Sequence, residues 1–350
     1  MTVFHFRRMS FKLVTILAVI AGYCTVSITL VFANKFLVGS QKSAIDVSLF
    51  VVWIQCIVTV LFQTGINAVK AGWTRDWSFI YIEKEIVSSP ILCMTVSFVC
   101  MLSFNNLCLR HVDVSFYQVA RSMTIIFVVI FTVTILHHSV SWRVIICCGV
   151  VATGFFLGID QEQFLGTLSI KGVIYGVLSS VFVALNGVFI KRALDVVDSN
   201  SYKVTYYSNI NACVLFIPLL LFTGQFYEAA HTFHVWGLTF WCLLFSTGIL
   251  CFLIAWIGGV QIHLTSTLTH HIIANTKSVL QTLIAVLYYH EVKSFLWWVS
   301  VLLVVGGAFS YTMVRIQEDQ DQKAKVQIAV DDIEKGQPEN LNNNKEVENI

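Results

Sequence analysis

Apolar residues run along this chain in long blocks, each closed by a short polar interval, and a block of roughly 20 is what an α-helix needs to cross the hydrocarbon of a bilayer. The pattern predicts ten spans, near residues 13–34, 47–69, 90–109, 114–136, 142–159, 171–190, 203–223, 235–257, 264–289 and 295–314. The first block follows Arg7-Arg8, and Val31-Phe32-Ala33 at its end looks like a signal-peptidase site. It is longer than the roughly 7–15-residue apolar region of a signal peptide, so it reads as a retained span.

Composition points the same way. Of 350 residues, 57% are hydrophobic and 12% charged, with a mean hydropathy of +0.76, against roughly 25% charged in a soluble protein. A water-facing surface cannot be built from that, which leaves an all-α membrane protein. The net charge of +2 and the lack of a long basic run exclude nucleic acid as a partner. The ten cysteines fall inside apolar runs and read as buried thiols, not a disulfide framework.

Ten spans put both termini on one side. Fifteen of the lysines and arginines outside the spans lie on that side, and five lie opposite: Lys35, Lys42, Arg110, Lys171 and Lys293. The positive-inside rule therefore predicts cytosolic termini. Residues 1–12 form a short cytosolic segment, 13–314 the ten-helix domain, and 315–350, rich in Asp, Glu, Asn and Gln, a disordered cytosolic tail.

Sliding the chain by about 156 residues lays Arg121-Ser122 on Lys277-Ser278, Trp142 on Trp298 and Ala152 on Ala308. This register divides the domain into two five-helix repeats, about 13–160 and 169–314. Because five is odd, the repeats must be inverted relative to each other, an architecture that places a site at the bilayer midplane.

Two ionised side chains lie well inside the predicted spans: Arg121 and Lys277, which occupy matching places in that register. Each costs about 2.5–3.5 kcal/mol at a helix centre on insertion scales, and intramembrane charges usually mark a functional path. No Asp or Glu falls within a predicted span to neutralise them. One reading is snorkelling to the interface; the other is a shared anion site. Helical spacing favours a lined cavity, since Tyr117, Gln118, Arg121 and Thr124 form one polar stripe and His270, Ala274, Lys277 and Gln281 another. Arginine grips phosphate through a planar fork and lysine as a compact charge.

The seventh span opens Tyr206-Tyr207-Ser208-Asn209-Ile210-Asn211. Its amides can pair with a nucleobase edge and its tyrosines can stack on the face; the alternative is an interfacial belt. Asn105-Asn106 reads as a bond between neighbouring helices. The histidine pairs His137-His138 and His270-His271 lack HExxH spacing and a carboxylate cluster, so neither a metal site nor an intramembrane hydrolase is expected.

At these residues the chain resembles the nucleotide-sugar transporters of the drug/metabolite transporter superfamily, above all those that carry GDP-fucose. The likeness covers nearly all of 10–315. It rests on Phe104–Leu109 (FNNLCL), Phe116–Ser122 (FYQVARS), Gly158–Gln163 (GIDQEQ), Asn209–Leu220 (NINACVLFIPLL) and Gln281–Trp298 (QTLIAVLYYHEVKSFLWW). The resemblance implies no enzyme activity and no cofactor. It implies a Golgi antiporter that moves GDP-fucose inward against GMP by alternating access, with GDP-mannose or a UDP-sugar as the alternative cargo and the endoplasmic reticulum as the alternative compartment. Membrane lipid and a second copy of the chain, as a homodimer, are the other partners it implies.

The family's F-Y-N-N motif, which reads guanine, becomes Tyr206-Tyr207-Ser208-Asn209 here. Its G-A-L-N-K motif, which holds sugar and phosphate, becomes Ile273-Ala274-Asn275-Thr276-Lys277. By the same likeness, Tyr23 matches the cavity tyrosine of the first span and Asn34-Lys35 the Asn-Lys at its end. The implied substrate contacts are Arg121, Lys277, Tyr207, Asn209, Tyr23, Tyr117, Lys35, Ser208 and Ala274.

Overall fold

A computed structural model describes residues 2–39, 47–74, 84–135, 137, 139–166, 168–197, 200–232, 236–264 and 267–334. Among these residues the chain is helical throughout, with twelve α-helices and no strand: α1 Thr2–Gly39, α2 Ser48–Thr74, α3 Ser89–His111, α4 Val114–Ser122, α5 Thr124–Thr134, α6 Trp142–Phe164, α7 Ile170–Val196, α8 Ser201–Phe222, α9 Gln225–Thr232, α10 Leu238–Leu264, α11 Thr267–Tyr288 and α12 Phe295–Glu334. In the described residues nine helical stretches are long and apolar enough to cross a membrane, and Ile272–Tyr288 is a shorter tenth. In lipid a helix is the one open-ended structure that satisfies its own backbone, so composition and fold agree.

Helix starts follow local chemistry. Asn200 Oδ1 accepts from the backbone N–H of Tyr202 (3.1 Å) and Lys203 (3.2 Å) and caps α8. Ser169 Oγ caps α7 by accepting from Gly172 N, and Pro90 sits in the first turn of α3, where no N–H is missed.

The fourth span differs from a single rod. It divides at Met123, where ψ is −19° and the Met123 N–H reaches back to Ala120 O at 3.3 Å. Ser122 Oγ adds a bond to Val119 O at 2.6 Å. Arg121, a cation in the last turn of α4, complements the helix dipole there.

The tail also departs from expectation. Residues 315–350 were expected to be disordered, yet 315–334 continue α12; residues 335–350 lie outside those described. Extending an existing helix avoids the cost of nucleation, and the Glu, Gln, Lys and Ala of this stretch propagate well.

The helices form a closed ring. In spatial order, α3 packs on α7, α7 on the broken α4–α5 span, that span on α6, and α6 on α12. The ring continues through α11, α1, α10, α2 and α8 back to α3. The α6–α12 seam is close because it lacks side chains: a Cβ on Gly154 would sit 2.9 Å from Val304 Cγ2, and one on Gly307 would sit 2.7 Å from Val151 Cγ2.

One end of the ring is fastened by charge. Lys293 lies 2.7 Å from Glu162, 3.3 Å from Glu291 and 3.7 Å from Asp113. Trp297 Nε1 also donates to Glu162, at 2.9 Å, and Ser115 Oγ to Glu291. Burial alone would depress the Lys293 pKa. The hydrogen bond to Glu162 and the surrounding carboxylates overcome that and raise it above the ordinary lysine value. A raised folded-state pKa means that this contribution is complete at neutral pH and fades only as pH climbs past the usual lysine range.

Candidate functional site

Arg121 at the end of α4 and Lys277 midway along α11 line one cavity of about 390 Å³, with Tyr23 from α1, Ala274 from α11 and Val183 from α7. The repeat register placed the two cations at equivalent positions, and the fold brings both to this cavity. Their charges act on each other, and no carboxylate among the described residues lies within ion-pair distance of either.

Lys277 is 8% exposed. Its ammonium donates to Ser27 Oγ at 2.7 Å and lies 5.6 Å from the centre of the Tyr23 ring. A neutral hydroxyl and a ring face stabilise a cation without cancelling it. Arg121 is exposed into the opening. Behind it the Tyr117 hydroxyl is within reach of the guanidinium and donates to Asn105 Oδ1 at 3.0 Å, which also accepts from Ser179 Oγ at 2.6 Å. Tyr117 is thus a buried prop for Arg121, and Asn105 ties α3 to α4 and α7 as the sequence suggested.

The polar stripes are partly redrawn. Gln118, Arg121 and Thr124 face the cavity, and on α11 the lining residues are Ala274, Asn275, Lys277, Ser278 and Thr282. Gln281 is fully buried and lines no part of it; the side chain of His270 lies outside those described.

Lys35 is not in the cavity. Its ammonium donates to Leu109 O (2.8 Å) and Val112 O (2.6 Å), closing the C-terminus of α3 at the charged end of the ring. Unpaired carbonyls there attract a cation more strongly than an apolar wall can. Close to it Phe32 stacks on Tyr289 with ring centres 6.0 Å apart.

Tyr207, Ser208 and Asn209 are likewise absent from the cation-lined wall. Tyr207 packs in a cluster with Ile86, Ile91, Met94 and Ala193. Ser208 Oγ and Asn209 Nδ2 both donate to Thr205 O, at 3.0 and 2.8 Å. They lie two to eight residues further along α8 than Ser201, Tyr202 and Thr205, which line a second cavity of about 390 Å³ with Gln63, Phe252 and Trp256. Sequence reasoning missed Gln63, although Gln55, Thr59, Gln63 and Asn67 recur every four residues on the second span.

Among the described residues no group of three His, Cys, Asp or Glu is placed to hold a metal ion. Nor does either cavity present a paired acid and base.

Comparison with known proteins fits this geometry. The model of the Triose-phosphate Transporter family matches residues 10–312. GDP-fucose transporter 1 of Nematostella vectensis is 42% identical over 324 residues, covering 89% of this chain and 95% of the relative. GDP-fucose transporter 1 of Mus musculus is 40% identical over 312 residues, covering 87% and 86%. The GDP-fucose transporter of Caenorhabditis elegans is 41% identical over 301, covering 86% and 82%. With a family match spanning most of its length, and a ring of membrane helices around a cationic cavity free of acid–base pairs, the chain belongs to the triose-phosphate transporter family of the drug/metabolite transporter superfamily, whose members are transporters and not enzymes.

Proposed function

We propose that the chain is a nucleotide-sugar antiporter that carries GDP-fucose from the cytosol into the Golgi lumen in exchange for GMP. The observation that carries this reading is the pair Arg121 and Lys277 facing one cavity without a carboxylate. Such a cavity asks for an anion, and the diphosphate of a nucleotide sugar or the phosphate of GMP supplies it. The names of the relatives support guanosine and fucose as the remaining parts of the substrate.

The two cavities divide the ligand by chemistry. The diphosphate and sugar lie between α4 and α11, with Ala274 leaving room and Tyr23 flanking. The base lies toward α8, whose Ser201, Tyr202 and Thr205 line the second cavity, with Tyr207, Ser208 and Asn209 following on the same helix. Lys35 fastens the far end of the ring instead of touching the ligand.

Exchange follows from electrostatics. Closing the empty cavity strands two cations away from water, whereas closing it around a phosphate does not, so the occluded state is reached with ligand bound. The inverted five-helix repeats then rock about the site and expose it to alternate sides. With both termini cytosolic, the fastened end that contains Lys35 and Lys293 is luminal.

Binding to purified, monodisperse protein tests the reading. GMP and GDP-fucose are expected to raise the unfolding temperature in a saturable way, with UMP far weaker. Equal stabilisation by UMP and GMP would reassign the cargo to another nucleotide class, and no stabilisation by any nucleotide would remove the proposal.

A further inference from the structure

Leu61, Gly65 and Ala68 of α2 are exposed on one face, whereas Gln55, Thr59, Gln63 and Asn67 are all buried. At 3.6 residues per turn the two sets lie on opposite sides, so the polar stripe faces the interior of the ring. Polar groups in a membrane helix need partners inside the protein, and three members of the stripe have them. Gln55 Nε2 donates to Asn34 Oδ1 at 2.7 Å and to Thr247 Oγ1 at 2.9 Å. Thr59 Oγ1 donates to Gln55 O at 2.8 Å, and Asn67 Oδ1 accepts from Tyr202 Oη at 2.9 Å.

Gln63 differs. It is 2% exposed, its Oε1 has no hydrogen-bond partner among the described residues, and it lines the second cavity. An orphaned buried acceptor beside a cavity awaits a donor that enters from outside. The cavity itself carries no charged lining residue and is walled by Phe252 and Trp256 of α10 and Tyr202 of α8. Aromatic walls with a few placed polar atoms suit a flat heterocycle, not a phosphate.

We propose that Gln63 is the residue that reads the donor edge of the guanine base, in the cleft bounded by α2, α8 and α10. The inference rests on the nucleotide-sugar reading above. A carboxamide oxygen has two lone pairs, and guanine presents two adjacent donors, N1–H and the 2-amino group. Hypoxanthine presents N1–H alone, and uracil a single N3–H. Gln63 Oε1 therefore favours guanine over both. On α8 the Ser208 hydroxyl and the Asn209 amide nitrogen donate to Thr205 O, and neither residue lines this cavity.

The test compares GMP, IMP and inorganic pyrophosphate binding to purified wild type, Gln63→Leu and Gln63→Glu. Wild type is expected to bind GMP about tenfold more tightly than IMP, the worth of roughly one hydrogen bond. Gln63→Leu should bring GMP and IMP to parity while pyrophosphate binding stays at the wild-type level. Gln63→Glu, whose carboxylate accepts both donors, should keep the preference. If Gln63→Leu retains the GMP-over-IMP ratio, or if it loses pyrophosphate together with GMP, Gln63 is not the reader, and the nucleotide-sugar reading stands without it. If wild type binds neither GMP nor pyrophosphate, the underlying reading itself has failed.

Discussion

Replacing Lys277 with alanine should abolish exchange in protein that still folds. The ammonium is held by a hydroxyl and a ring face, neither of which carries charge, so its removal leaves no buried anion unpaired and the ring should survive. On the proposed reading, what is lost is the phosphate contact. A hydrogen bond to a charged group is worth about 1.5–3 kcal/mol, which corresponds to about 10–100-fold in affinity. Arg121→Ala should be as damaging to transport, since it removes both the second cation and the partner of Tyr117. Arg121→Lys keeps the charge and loses the planar fork, and partial activity is expected. Size-exclusion profiles and GMP thermal shifts on the same preparations separate a site defect from misfolding. Near-normal GMP affinity in Lys277→Ala would return that lysine to a purely structural role.

Lys293→Ala should have the largest effect on stability. Lys293 and Glu162 are buried together, with side-chain exposures of 2% and 3%, and removing one partner strands the other's charge. Breaking a buried pair in this way costs about 3–5 kcal/mol. The double variant Lys293→Ala with Glu162→Gln should recover much of the loss, because a neutral amide still accepts from Trp297 Nε1 and carries no stranded charge. Unfolding temperatures of the two single variants and the double variant measure this directly. Additive losses would show that the two residues do not act as a pair.

Much of this was legible in the sequence, for a physical reason. A charge within an apolar run is conspicuous, so Arg121 and Lys277 stood out, and helical spacing gave their cavity neighbours Gln118, Thr124 and Ala274. Residues at helix ends gave no such signal. Glu162, Glu291 and Lys293 read as ordinary loop charges until the fold brought them together. Lys35 was named by likeness alone, and its contacts to the carbonyls of Leu109 and Val112, more than 70 positions away, carry no side-chain signature in the sequence.

The break at Met123 was invisible because neither proline nor glycine marks it. The stripe of Gln55, Thr59, Gln63 and Asn67 was present in the sequence, but neutral amides perturb hydropathy less than charges do. The α8 residues Tyr207, Ser208 and Asn209 were found by likeness, and they line neither the cationic cavity nor the second one.

The central claim is coupled exchange of two guanosine nucleotides through one cationic site. Counterflow in proteoliposomes tests it most directly. Labelled GDP-fucose supplied outside should accumulate rapidly in vesicles preloaded with GMP, slowly in empty vesicles or vesicles loaded with UMP, and not at all with Lys277→Ala protein. Equal uptake into loaded and empty vesicles would contradict the account, since it would mean that the unliganded cavity closes as readily as the occupied one.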